Sequence, residues 1–220
     1  MTATTGESLE SGSKSSDAER AGALFAFGGL VFLLLTTAAE SIYPHFSLQN
    51  NAISDLAALG TSTTAIEETA VFVTAVCWMA GAYLLFRRTG RRGMMALNLL
   101  PGLGFLLAGL APENVNLTIH SVGAVLAFLV GGVAVMLSSR FIRGPLRYFA
   151  VGLGALSLFA TFIIFVGGQV VGPCGTCSGT TGYEQSLDKL ALGLGGWESM
   201  IVYPLLVWLI AFGSYLMAKQ

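Results

Sequence analysis

Three polar residues at the ends of apolar segments, Asp55, His120 and Glu198, are of types that can do chemistry together. Two carboxylates and an imidazole can share general acid and base roles, or hold a metal ion against a lipid or lipid-linked substrate. The same residue types also make hydrogen-bonded networks that lock loops to a helix bundle. A second cluster is Pro173-Cys174-Gly-Thr-Cys177 in a glycine-rich segment. Such a pair of thiols can form a small-loop disulfide, a redox couple or half of a zinc site. No second pair of this spacing exists, and no strand–helix context supports thioredoxin-like chemistry. In an oxidising compartment the expected state of Cys174 and Cys177 is therefore a disulfide. Cys77 lies in an apolar run and reads as a packing residue. Neither a cofactor nor a metal is specified by these residues.

The elements that must position them are membrane helices. Of the 220 residues, 54% are hydrophobic and 10% charged, far below the roughly 25% charged content of soluble domains. Six apolar runs are long enough to cross a bilayer: Ala21–Ala39, Ala65–Phe86, Gly93–Leu110, Ile119–Leu137, Tyr148–Val171 and Met200–Met217. They are apolar on all faces, unlike the alternating strands of a barrel, so the expected fold is all-α, a six-helix transmembrane bundle. Residues 1–19 are polar and lack an apolar period, and are expected to be a disordered tail before a membrane domain of residues 20–220. The acids Glu7, Glu10, Asp17 and Glu19 argue against a cleaved signal peptide.

Charge sets the expected orientation. Lys14, Arg20, Arg87, Arg88, Arg91, Arg92, Arg140, Arg143, Arg147 and Lys219 all fall on one side, leaving Lys189 alone on the other. Basic residues in short loops stay in the cytoplasm, so both termini are expected inside a cell membrane and the loops 40–64, 111–118 and 172–199 outside. Eight acids against one base leave the outer side at −7, and ten bases against four acids leave the inner side at +6. Glu67 and Glu68 are expected to be helix caps, because Thr64-Ala-Ile-Glu67 has capping-box spacing.

The first outer segment runs Glu40-Ser-Ile-Tyr-Pro-His-Phe-Ser-Leu-Gln-Asn-Asn-Ala-Ile-Ser-Asp55-Leu. Pro44 stops the first helix, and Asn50 or Asn51 is expected to cap a short helix near Ala52 that turns Ile53 and Leu56 to the bundle. Asn51-Ala-Ile-Ser-Asp-Leu56 resembles the signature of an uncharacterised membrane family, domain of unknown function nine hundred and ninety-eight, found in archaea and some bacteria. Ala111-Pro-Glu-Asn-Val-Asn-Leu-Thr-Ile-His120 is similar to that family's Pro-containing loop followed by a His, and Gly195-Gly-Trp-Glu198 to its opening of the last span. The resemblance covers essentially the whole membrane region, and departs at Ala57, at Ala111 and in the Cys174–Cys177 loop. It implies a fold but no reaction.

Both histidines, His45 and His120, fall on the outer side, where a His at a helix start most often bonds a neighbouring backbone or carboxylate. Asn116-Leu-Thr118 matches a glycosylation acceptor. Tyr183, Leu187, Leu190, Ala191 and Leu194 recur at helical spacing and suggest an interfacial helix. Gly123, Ala127 and Gly131 form a ridge for close helix approach, and Pro101 is expected to kink the third span. No charge falls at the centre of a span, which argues against an ion-coupled pump. No Lys is available there for a retinal Schiff base, and the two outer histidines do not suit a membrane haem. The expected function is a membrane protein whose acidic outer surface binds a lipid headgroup, a cation or a partner protein; no nucleic-acid partner is expected. The alternative is a membrane-embedded hydrolase or transferase using Asp55, His120 and Glu198.

Overall fold

In hydrocarbon, a chain this apolar satisfies its backbone N–H and C=O groups within itself by forming helices. The computed structural model describes residues 5–170 and 192–218, with side chains described for 17–166 and 192–218. Its elements are α1 (Thr5–Ile42), α2 (Thr64–Thr89), α3 (Arg92–Leu110), α4 (Glu113–Val125), α5 (Gly131–Ser138), α6 (Leu146–Val170) and α7 (Gly193–Ala218). A π turn at Leu126–Val130 joins α4 to α5, and a 3₁₀ turn at Ser139–Phe141 follows. These make six segments long and apolar enough to cross a membrane, and no strand occurs among the described residues. The protein is a multi-pass helical membrane protein.

Successive crossings run antiparallel. The N-terminal part of α1 and the C-terminal part of α7 meet, Gly22 against Gly213, at one end of the bundle, the terminal end, and the segments 43–63 and 111–112 cross between helices at the opposite, distal end. At the terminal end Asp17, a residue of the expected tail that belongs to α1, is buried and meets Arg87 at 3.5 Å. The last crossing starts earlier than its apolar run suggested, at Gly193, so Glu198 lies inside α7. Cys174, Cys177 and most of the segment Tyr183–Leu194 lie outside the described residues.

Small residues set the helix spacing. A β-carbon on Gly104 of α3 would stand 2.6 Å from the Gly123 carbonyl oxygen, and one on Gly123 would stand 2.7 Å from the Ala108 amide nitrogen. The expected ridge, which runs from α4 through the π turn to α5, therefore packs on α3, with its last member, Gly131, against Leu205 of α7. α3 is one helix across Pro101. Trp78, Phe105 and Phe32 fill the centre, Phe105 touching both other rings. Leu34 and Phe162 remain 69% and 58% exposed; with their apolar neighbours they form the lipid-facing surface that hydrocarbon, not water, accommodates.

Candidate functional site

The loop carrying Asp55 contains a 3₁₀ turn at Ser54–Ala57, which buries Ile53 and Leu56 as their spacing suggested. Its cap differs from the expected one. Asn51 accepts the Ser47 N–H at 3.1 Å and donates to Asp55 Oδ2 at 3.3 Å, while that same oxygen accepts the Ala52 N–H at 3.0 Å. The free amides at the start of the turn go instead to Glu198, whose Oε2 accepts from Ile53 at 2.5 Å and Ser54 at 3.3 Å. A carboxylate suits this place because the first amides of a helical turn are unpaired donors. Close approach requires bare backbone on α7: a β-carbon on Gly195 would collide with the Asn51 carbonyl oxygen, and one on Gly193 with that of Gln49. Gly195 and Glu198 thus act together, one admitting the loop and the other binding it.

The junction of α3 and α4 ties to the same loop. Pro112 has no N–H, so the Ala108 carbonyl lacks the partner a continuing helix would give it. His120 meets both Ala108 O at 3.3 Å and Ala111 O at 3.2 Å through Nδ1. Carbonyls only accept, so Nδ1 carries the hydrogen, and in the neutral ring Nε2 is the acceptor. Asn116, the acceptor of the glycosylation motif, breaks helical geometry and takes the Ile119 N–H at 3.1 Å, capping the rest of α4. Asn114 pairs with both backbone groups of Leu59 at 3.0 Å each, and Ser54 donates to Glu113 Oε2 at 3.1 Å.

Glu67 corrects the capping-box reading. The α2 start has no side-chain cap; Thr64 donates to Ala58 O at 2.5 Å, and Glu67 turns inward to accept the Thr36 hydroxyl at 3.0 Å. Glu67 is 1% exposed, and its Oε2 is buried without a hydrogen-bond partner. Helical phase explains the direction, since Glu67 falls on the buried stripe with Ala70, Thr74, Trp78 and Gly81. Beside it lies a cavity of about 50 Å³ lined by Glu67, Glu198, His120, Ser54 and apolar side chains including Phe32, Phe105 and Phe128. That is room for about three water molecules.

The carboxyls at this end feel one another. Glu113 interacts with Asp55 and Glu198, and Glu67 with Glu198 and Glu40. Glu40 in turn accepts the Tyr203 hydroxyl at 2.9 Å. Partial burial, then the charges of Asp55 and Glu113, push the Tyr43 phenol above its ordinary value.

Of Asp55, His120 and Glu198, the last two share the cavity, while Asp55 does not line it and is joined to Glu198 through the backbone of its own turn. His45 stands apart, exposed in a left-handed turn at φ 57°. Among the described residues no three His, Cys, Asp or Glu side chains are placed to hold a metal ion together. Glu67 and Glu113 were not recognised as site residues from the sequence. The signal for Glu67 was its phase with the small and aromatic residues of α2; for Glu113 it was its place directly after Pro112. No curated protein and no solved structure matches the chain significantly. A family model matches residues 26–215, so the resemblance carried by Asn51–Leu56, Ala111–His120 and Gly195–Glu198 holds, and the chain belongs to the family described as Protein of unknown function (DUF998).

Proposed function

We propose that this is a non-enzymatic membrane protein whose distal acidic end binds a small hard cation, held by carboxylate oxygens and water. The reading rests on one observation: Glu67 Oε2 is buried without a partner beside a cavity it shares with Glu198. A buried carboxylate oxygen left unmet is costly, and a cation in the adjacent cavity would satisfy it. Hard cations prefer oxygen ligands and keep part of their water shell, which suits a small space with two carboxylates and the Ser54 hydroxyl. The charge excess of the expected outer side, eight acids to one base, favours cation entry.

A hydrolase or transferase at Asp55, His120 and Glu198 draws less support. Nδ1 of His120 and Oε2 of Glu198 are engaged with backbone groups, and about 50 Å³ is too small for a lipid carbonyl with its attacking group.

The test is the melting temperature of purified protein in calcium, magnesium or sodium chloride at constant ionic strength. Ligand at 100 times its dissociation constant adds about 2.7 kcal/mol to stability. One of the three salts should raise the melting point of the native chain and not of Glu67→Gln. An unchanged melting point in all three, or an equal rise in Glu67→Gln, overturns the reading.

A further inference from the structure

The terminal end holds a separate cavity of about 410 Å³, between the ends of α2, α5 and α7 and the start of α3. Its volume falls in the range of about 300–1,000 Å³ typical of small-molecule sites. Phe86, Phe212 and Met95 line it from half-buried positions, whereas Phe141, Arg88 and Arg91 line it from exposed ones. We propose that this cavity binds one acidic phospholipid of the adjoining leaflet, with the phosphate at Arg88 and Arg91 and an acyl chain among the Phe and Met side chains.

Charge and shape both point to that occupant. Arg87, the neighbour of Arg88, is paired with Asp17, but no ion pair to an acid occurs at Arg88 or Arg91 among the described residues. Arg91 instead stacks its guanidinium 4.8 Å from the centre of the Phe141 ring, which leaves its edge N–H donors free for phosphate oxygens. The adjoining start of α3 has no side-chain cap, so its first amides add to the attraction for an anion. Retention of positive charge during insertion explains why arginines stand at this end. It does not call for an apolar cavity leading inward from them. A soluble anion would leave that apolar part unused, and a neutral lipid would leave the guanidiniums unused.

Native mass spectrometry of the full chain in detergent tests this with dioleoyl phosphatidylglycerol and dioleoyl phosphatidylcholine, which differ only in the headgroup. Retention of one phosphatidylglycerol should exceed that of phosphatidylcholine about 30-fold, the preference two guanidiniums near an anionic headgroup provide. Arg88→Gln with Arg91→Gln should remove the preference. Met95→Trp narrows the cavity while leaving the loop charges intact, and should lower phosphatidylglycerol retention even if the double variant fails to insert. Excess glycerol phosphate, a headgroup without chains, should not displace the lipid. Equal retention of the two lipids, unchanged phosphatidylglycerol retention in Met95→Trp, or displacement by glycerol phosphate would overturn the proposal.

Discussion

Glu198 accepts the Ile53 amide hydrogen at 2.5 Å across 145 positions of sequence, so the last helix caps a turn made by the first interhelical loop. Replacing Glu198 by Ala leaves two amides unpaired, and each buried unpaired donor costs about 1–3 kcal/mol. Glu198→Ala should therefore lose about 2–6 kcal/mol in reversible unfolding, and Glu198→Gln, which retains an acceptor, about half of that. Equal losses in both variants would mean that side-chain packing, not the cap, is what Glu198 provides.

Gly195→Ala places a methyl group against the Asn51 carbonyl. Overpacking of this kind costs about 1–3 kcal/mol, and the strain falls on the loop because α7 is held along its length. Hydrogen–deuterium exchange should rise in residues 47–58 while the helices stay protected. Unchanged exchange in that loop would show that it docks elsewhere.

His120→Leu removes the donor shared by the Ala108 and Ala111 carbonyls. A loss of about 1–2 kcal/mol in stability is expected, in line with a hydrogen bond whose partners stay buried. His120→Gln, which can still donate, should recover part of it. A variant of native stability would free the imidazole for a chemical role.

Orientation is checked with impermeant thiol reagents on intact cells, in a chain whose native cysteines are replaced. A Cys at Ser47 should label and a Cys at Gly90 should not. The reverse pattern would place the arginine-rich loops outside.

Cys174 and Cys177 should be joined in protein isolated without reductant. Peptide mass spectrometry after alkylation should find the pair two hydrogens lighter and unmodified. Two alkylated thiols would instead favour a metal or redox role.

Much of this architecture was legible because hydrocarbon imposes one rule: an apolar run of sufficient length must satisfy its own backbone. The turn holding Ile53 and Leu56 was readable too, since both residues sit on one face of a short helical segment. Its cap was misread, because local reasoning favours Asn51 and cannot see a carboxylate arriving from Glu198. Glu67 was misread for the same cause: Thr64-Ala-Ile-Glu67 fits a local motif, while Thr36, its actual partner, lies on another helix. Depth along the membrane could place Asp55, His120 and Glu198 at one level, but which faces meet depends on small residues such as Gly104, Gly123 and Gly195.

The cap contributed by Glu198 also imposes an order on biosynthesis. The Ile53–Ser54 amides leave the ribosome long before Glu198 is made, and the intervening helices are inserted while those amides are still without their carboxylate. That cap therefore closes only after the final crossing is threaded, and a chain that stops short of it holds the first loop through Asn114 and Glu113 alone. Protease sensitivity at Ile53–Ser54 should therefore fall late in synthesis, in step with insertion of the last helix.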